Sequence, residues 1–232
     1  MRPPDFTSTV LGTRDVAPDV REITLSAPSV PFEYLAGQWV SLHLPVGEHP
    51  PLVRAYTLAS LPGPNGELKL CLDRVPDGLG SKYLFGLGIG DSVEYSGPLG
   101  RFVLDDPPGP QLWLARYTGI VPFHALLLEL SARGDAPPVT LLYSAPTQQD
   151  LAYLDEIQAL AARHDWLRFE TLLDAPETDP VSQIAARVEA ALAEQREVTP
   201  MICGKREFVR PLRDFFTERG WDRRDVKVES YD

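Results

Sequence analysis

The stretch Pro107-Pro108-Gly109-Pro110 marks the point where the 232-residue chain changes its pattern. Before it, short apolar runs alternate with polar positions and are separated by turn residues, which is typical of antiparallel strands. After it, strand-like runs alternate with helical ones, which predicts parallel strands joined by helices. We therefore expect two domains, at residues 1–106 and 107–232.

The first half predicts a six-stranded antiparallel Greek-key β-barrel. Many short strands with little helix favour a small antiparallel barrel. The pattern indicates one helical stretch, at 81–87. It indicates strands at 20–26, 38–44, 53–60, 67–75 and 91–95, with further candidates at 9–16 and 101–104.

The second half predicts an α/β doubly wound domain with a five-stranded parallel sheet. The expected strands lie at 112–115, 139–144, 167–173, 201–203 and 226–230. The expected helices lie at 123–132, 148–164, 181–195 and 208–219. Ligands of such sheets bind beyond the carboxyl ends of the strands, so we expect the active site there, in a cleft between the two domains.

Composition excludes several functional classes. The chain has 22 basic and 33 acidic residues, and a net charge of -11 argues against general nucleic-acid binding. No apolar run reaches the roughly 20 residues of a membrane span, and the N-terminus lacks the layout of a signal peptide, so we expect a cytoplasmic protein without a membrane partner. The two cysteines, Cys71 and Cys203, are far apart and the histidines are scattered, so we expect no metal site.

Arg54-Ala55-Tyr56-Thr57 is the first motif with chemical potential. On a strand, Arg54 and Tyr56 point to one side and Thr57 to the other. A guanidinium can hold a phosphate, a tyrosine ring can stack on a flat heterocycle, and a threonine hydroxyl can form one hydrogen bond to it. Taken alone, the motif indicates no more than an ordinary barrel strand.

Gly78-Leu79-Gly80-Ser81 opens the helix of the first half. Glycines let the backbone approach a ligand, and a helix start offers free amides to a phosphate. Taken alone, this motif is a turn with a helix cap. The later Gly97-Pro98-Leu99-Gly100-Arg101-Phe102 is, by itself, a tight turn.

Two motifs of the second half lie at strand ends. Thr118-Gly119-Ile120-Val121-Pro122 joins the first strand to the first helix, where a doubly wound domain binds a pyrophosphate. Cys203-Gly204 ends the fourth strand, and a buried strand cysteine by itself is a small apolar residue.

In this order, the five motifs make the chain resemble the ferredoxin–NADP reductase superfamily over about residues 7 to 231. The resemblance implies an FAD-binding barrel followed by a pyridine-nucleotide domain that binds NADH or NADPH. It also implies hydride transfer from nicotinamide to flavin N5, followed by one-electron steps to an acceptor.

The resemblance further implies residue roles on the flavin side. Arg54 contacts the FAD pyrophosphate, Tyr56 lies against the isoalloxazine, and the Thr57 hydroxyl faces its N5 edge. The helix start adds contacts to the pyrophosphate from Gly78, Gly80 and Ser81.

On the nucleotide side, the resemblance makes Thr118 and Gly119 the phosphate turn. Cys203, followed by Gly204, stands beside the nicotinamide. The ending Glu229-Ser230-Tyr231 is similar to the acid-x-aromatic ending of the family, with Tyr231 near the other face of the flavin. The expected catalytic set is Tyr56, Thr57, Cys203 and Tyr231.

Two departures from the family fall on the nucleotide side. Arg116 and Tyr117 stand where relatives have small residues before the Thr-Gly turn. The tyrosine side chain either fills the space of the phosphate or pushes the loop outward. Alternatively, Arg116 compensates by binding the phosphate directly. Asp174 stands near the place of a phosphate-binding Ser-Arg pair. As a free carboxylate it would repel a 2′-phosphate and accept from a ribose hydroxyl, which favours NADH; otherwise it is a solvated strand end.

Three functions stay open. The chain is a reductase for a small acidic electron carrier (ferredoxin or flavodoxin) or for an oxygenase component, a flavoprotein with a closed nucleotide site, or a scaffold without cofactor. The intact flavin motifs argue against the last. Residues 205–232 carry eight bases and seven acids, which makes this end the least repulsive for an acidic carrier. We expect a monomer.

Overall fold

The computed structural model describes residues 5–47 and 52–231, and these form two compact units. The first unit runs to Val103 and includes His124–Glu129. The second holds Leu104–Phe123 and continues from Leu130. The expected division between residues 106 and 107 lies three residues after the end of the first unit, and we keep it as the proposed domain boundary.

A six-stranded antiparallel sheet makes up most of the first unit, in the strand order β4-β3-β6-β1-β2-β5. Between β5 and β6 lies the short helix α1, Leu79–Phe85. The strands are β1 Phe6–Ala17, β2 Val20–Leu25, β3 Trp39–Leu44, β4 Leu52–Thr57, β5 Leu68–Asp73 and β6 Ser92–Leu99. This order confirms the predicted Greek-key arrangement.

The sheet curves so that its two edge strands meet. Leu58, just after β4, forms an antiparallel bridge with Leu70 of β5. The amide of Ala59 donates to the Lys69 carbonyl over 2.7 Å. Alternate side chains of β3, such as Val40 and Leu42, are buried in the core enclosed by the sheet, as the alternating sequence predicts.

The candidate strand at 101–104 is wrong. β6 ends at Leu99, and Gly100 follows with a left-handed φ of +99° that turns the chain out of the sheet. The carbonyl of Phe102 lies against Gly37, where a Cβ would come within 1.9 Å of the Phe102 oxygen. The segment therefore packs on a turn and pairs with no strand among the described residues.

A five-stranded parallel sheet forms the second unit, in the order β11-β10-β7-β8-β9, which confirms the predicted doubly wound pattern. The strands are β7 Gln111–Arg116, β8 Val139–Ala145, β9 Leu167–Leu173, β10 Thr199–Lys205 and β11 Lys227–Tyr231. The helices are α2 Ile120–Arg133, α3 Leu154–Arg163, α4 Pro180–Glu194 and α5 Arg206–Glu218.

Both faces of the parallel sheet are covered. Leu112 and Leu114 of β7 pack in one cluster with side chains of α4 and α5. Trp113, which points the other way, stacks on Phe123 of α2 with ring centroids 5.2 Å apart. The strand order reverses between β7 and β10, which places a crevice at the carboxyl ends of these two neighbours.

The single helix expected at 148–164 is also wrong. The Asp150 carboxylate accepts from the amide and the hydroxyl of Thr147, and this contact closes a separate 3-10 turn, Gln148–Asp150. Tyr153 then takes a left-handed φ of +58°, which interrupts the helical path. Helix α3 therefore begins at Leu154.

Candidate functional site

The Arg54–Thr57 motif forms the end of the edge strand β4. Antiparallel pairing places Arg54 opposite Leu42, Tyr56 opposite Val40 and Thr57 opposite Trp39. Arg54 and Tyr56 therefore share one face of the strand and Thr57 lies on the other, as the sequence predicts. Arg54 is exposed and donates from Nη1 to the Val53 carbonyl over 2.8 Å.

Tyr56 and Thr57 differ from Arg54 in their burial. Burial, with a smaller contribution from the charge of Asp73, raises the pKa of Tyr56 to about 12, although Arg54 opposes the shift. The phenol is therefore neutral at physiological pH and keeps its proton as a hydrogen-bond donor. Thr57 is buried.

The loop before α1 is held by Ser81. Its hydroxyl oxygen accepts from the Val75 amide at 3.1 Å and lies 3.1 Å from the Val75 carbonyl and 3.2 Å from the Gly78 carbonyl. A Cβ on Gly78 would come within 3.0 Å of the Ser81 hydroxyl and of Val75. Ser81 thus fixes the backbone of this loop, and Gly78 leaves room for it.

Helix α1 begins close to the edge of the sheet. A Cβ on Gly80 would lie 3.1 Å from Leu44, 3.2 Å from Leu52 and 3.8 Å from Arg54 Cγ. No side chain caps the helix and its first turn carries no acidic residue. Amides at the helix start and the guanidinium of Arg54 are therefore the groups here that fit a phosphate.

In the second unit, Gly119 lies at the crevice between β7 and β10. A Cβ at this position would come within 2.2 Å of the Cys203 carbonyl oxygen and 2.9 Å of the Gly204 nitrogen. Only glycine allows this approach of two backbones. The structure thus brings together the Thr118-Gly119 turn and the Cys203-Gly204 strand end, which the sequence analysis selected separately.

Helix α2 starts directly after this turn, at Ile120, three residues before the predicted start. The preceding 3-10 turn, Tyr117–Gly119, has no side-chain cap, and neither has α2. The first turn of α2 also holds no acidic residue. This helix start fits the pyrophosphate of a nucleotide, because it adjoins the Gly119 turn and carries neither a side-chain cap nor an acidic residue.

Cys203 is fully buried on β10, and its thiol donates to the Tyr231 hydroxyl over 3.2 Å. Burial, with the charge of Glu229, raises the pKa of Cys203 well above its usual value, although the hydrogen bond between Cys203 and Tyr231 opposes the shift. The thiol is therefore protonated. Cys203, predicted beside the nicotinamide, and Tyr231, predicted near the flavin, are direct partners in the structure.

Arg116 and Asp174 form a contact that the sequence analysis did not predict. Arg116 donates from Nη1 to Asp174 Oδ1 at 2.8 Å and from Nη2 to Oδ2 at 2.7 Å. Nη1 also reaches the Ser144 hydroxyl at 3.3 Å. Asp174 is therefore not the free carboxylate on which the expected NADH preference rests.

Tyr117 adopts a left-handed backbone, with φ of +51°. Its ring centroid lies 4.8 Å from the Arg116 guanidinium carbon and 5.8 Å from Lys205 Nζ. Two cations thus flank the aromatic ring beside the turn. Sequence reasoning missed Lys205 and Ser144, and the signal available for both was their position at the carboxyl end of a parallel strand.

No group of metal-ligating side chains occurs among the described residues. Within the same ranges, no helix is long and apolar enough to cross a membrane.

Comparison with known proteins assigns one domain class to each unit. Residues 8–104 match the oxidoreductase FAD-binding domain family, and residues 115–214 match the oxidoreductase NAD-binding domain family. Fold, site and domain matches together define a flavin- and nicotinamide-dependent oxidoreductase.

Relatives with assigned functions show to which family of oxidoreductases the chain belongs. The chain is 34% identical to ferredoxin–NADP reductase B of Sorangium cellulosum, over 98% of both chains. It is 31% identical to the toluate 1,2-dioxygenase electron transfer component of Pseudomonas putida, over 85% of this chain and 60% of that protein. The chain belongs to the ferredoxin–NADP reductase family, and it is an FAD-dependent NAD(P)H oxidoreductase.

Solved structures agree with this fold. A cytochrome P450 reductase from Amycolatopsis superposes with a TM-score of 0.80 at 28% identity, over 97% of this chain and 69% of that one. A ferredoxin–NADP+ reductase from Plasmodium falciparum gives a TM-score of 0.83 at 16% identity, over 97% and 95% of the two chains, and supports the fold alone.

Proposed function

We propose that the protein takes a hydride from NADH or NADPH onto FAD and passes electrons singly to a ferredoxin, a flavodoxin or an oxygenase component. The observation that carries this proposal is the Gly119 turn against Cys203-Gly204, at the crevice of the parallel sheet and beside the uncapped start of α2. The bound flavin and nicotinamide supply the redox chemistry, so the chain needs no acid–base pair of its own.

The first unit offers the groups for FAD. Arg54 and the helix start at Gly78, Gly80 and Ser81 would hold the pyrophosphate, since the start of α1 is uncapped and free of acids. The Gly78 amide itself donates to the Val75 carbonyl, so the proposed amide donors are those of Gly80 and Ser81. The Tyr56 ring would lie against the isoalloxazine, with its neutral hydroxyl as a donor. The Thr57 hydroxyl would face the N5 edge.

The second unit offers the groups for the nicotinamide nucleotide. Thr118 and Gly119 would bind its phosphates. Cys203 and Gly204 would lie beside the nicotinamide, and the hydrogen bond from the Cys203 thiol would orient the Tyr231 ring for stacking on the flavin. These residues position flat rings at reacting distance, which is the contribution the protein makes to hydride transfer.

The proposal predicts the visible spectrum of the purified, FAD-loaded protein under anaerobic conditions. Flavin absorbance should bleach after addition of NADH or of NADPH, because the proposed reaction transfers a hydride from the nicotinamide to the flavin. Dithionite is the control that reduces any accessible flavin. A flavin that dithionite bleaches and neither nucleotide bleaches would refute the reductase function, and a protein that cannot be loaded with FAD would refute the flavin site.

A second candidate function is a flavoprotein with a closed nucleotide site, serving as an electron-transfer or redox-sensing module. Tyr117 favours this function, because its ring lies beside the phosphate turn and is flanked by the cations of Arg116 and Lys205. Its backbone is left-handed, a conformation that glycine adopts without strain and without a side chain beside the turn.

Replacement of Tyr117 separates the two functions. For a working reductase, Tyr117→Gly should change the affinity for NADH and NADPH by no more than a few-fold, because the wild-type site is open. Tyr117→Phe is the matched control, since it keeps the ring and removes the hydroxyl. A rise in affinity of about a hundredfold in Tyr117→Gly alone would show that the ring closes the site.

The relatives include electron transfer components of oxygenases, so the acceptor class is a ferredoxin or an oxygenase component. The finer proposal is an acidic carrier that approaches α5 and the loop after it. Arg206, Arg210 and Arg224 are exposed there. Arg213 and Arg223 lie together at this end of the unit, where Arg213 donates from Nη2 to the Arg223 carbonyl over 2.7 Å.

Salt should therefore slow electron transfer to an acidic plant-type ferredoxin. The second-order rate should fall as ionic strength rises, since charges are screened within about 8 Å at physiological salt. Arg210→Gln should lower the rate at low salt, whereas Arg163→Gln on α3 should not. A rate that is independent of salt and of Arg210 would contradict an acidic partner at α5.

The same mass and sedimentation at all concentrations would support the proposed monomer.

A further inference from the structure

The ion pair between Arg116 and Asp174 spans the carboxyl edge of three strands. Arg116 is the last residue of β7, Ser144 lies near the end of β8, and Asp174 follows β9 directly. The Asp174 amide donates to the Ala145 carbonyl over 3.1 Å, which ties its backbone to β8. The carboxylate therefore reaches back across β8 to the guanidinium.

Geometry and burial make this pair stronger than an ordinary surface contact. Both guanidinium donors and both carboxylate oxygens take part, at 2.8 and 2.7 Å. The Arg116 side chain is 12% exposed and that of Asp174 is 27% exposed. Burial lowers the pKa of Arg116, but its hydrogen bonds to Asp174 and the charge of that carboxylate outweigh burial and leave the pKa raised. In this ion pair each charge offsets the other.

Other charged groups near the pair do not upset this balance. Asp179 is exposed at the start of α4, and its pKa is lowered first by the Ser182 amide and to a small extent by Arg116. Lys205 lies on the far side of the Tyr117 ring, 5.8 Å from its centroid. Asp179 and Lys205 thus add one negative and one positive charge near the Arg116–Asp174 pair.

The position of the pair decides what it can touch. It adjoins the Tyr117–Gly119 turn, where the pyrophosphate of a nucleotide would bind. In doubly wound domains, the adenosine ribose lies beyond this turn, outside the carboxyl ends of the strands. There an acid accepts from the 2′-hydroxyl of NADH, or an arginine binds the 2′-phosphate of NADPH. In this chain Asp174 and Arg116 both lie near the turn, and they form an ion pair with each other.

We infer, on the basis of the proposed function, that the Arg116–Asp174 pair sets the preference between NADH and NADPH and makes it weak. Asp174 holds the guanidinium away from a 2′-phosphate, and Arg116 cancels the repulsion that Asp174 would exert on it. The wild-type protein should therefore discriminate between the two nucleotides by less than about tenfold.

The test compares 5′-AMP with 2′,5′-ADP, which carries one phosphate at each of the two positions and so differs from 5′-AMP only by the 2′-phosphate. Their dissociation constants are measured by titration calorimetry on the full-length, FAD-loaded protein. Asp174→Asn frees the guanidinium and should raise the relative affinity for 2′,5′-ADP by about tenfold. Arg116→Gln leaves a bare carboxylate and should lower it by about tenfold.

Two further variants serve as controls for the single substitutions. The double variant Arg116→Gln with Asp174→Asn has neither charge and should return close to the wild-type ratio, even where Arg116→Gln alone folds poorly. Arg168→Gln breaks exposed ion pairs to Glu170 and Glu194 at a distance from the turn, and it should leave the ratio unchanged.

Opposite shifts in the two single variants would support the inference. Shifts in the same direction, unchanged ratios, or a wild-type preference above about a hundredfold would overturn it. Failure of the proposed function gives a different result: neither 5′-AMP nor 2′,5′-ADP would bind the wild type or any variant, and the inference would fall with it. Reduction of the flavin by NADH and NADPH gives a second readout of the same ratio.

Discussion

The second unit depends on one close approach, in which the Gly119 turn lies against the backbone of Cys203 and Gly204. This contact joins β7 to β10 at the place where the strand order reverses, and a single methyl group would prevent it. The start of α2 follows this contact directly, Arg116 and Tyr117 precede it in the chain, and Cys203 on the other strand is hydrogen-bonded to Tyr231. The nucleotide site is therefore built mainly from backbone geometry.

Periodicity predicted most of the fold because the two units have different apolar patterns, period two in β3 and alternating strands and helices after residue 110. The two errors have local backbone causes. Gly100 and Tyr153 adopt left-handed conformations that end a strand and interrupt a helix, and neighbouring residues give no apolar signal of either. Bounds of elements depend on such single dihedral angles, which a pattern of apolar residues does not contain.

The site was predictable where a motif is continuous in sequence, as for Arg54–Thr57 and Thr118-Gly119. The pairing of Arg116 with Asp174 was not predictable, since 58 residues separate the partners and the contact depends on strand register across β8. The pair changes the chemical meaning of Asp174 from a free acid to half of a neutral unit. The roles of the individual flavin and nucleotide residues stay proposals, which rest on the chemistry of each group and its place in the fold.

The most direct test of the account is the binding of 5′-ADP to Gly119→Ala, with Gly109→Ala as its matched control. A Cβ at Gly109 meets no atom within 4 Å, whereas a Cβ at Gly119 would overlap the Cys203 carbonyl. We predict that Gly119→Ala binds 5′-ADP at least about tenfold more weakly and unfolds at a lower temperature, and that Gly109→Ala matches the wild type. Wild-type affinity in Gly119→Ala would show that the nucleotide does not bind at this turn.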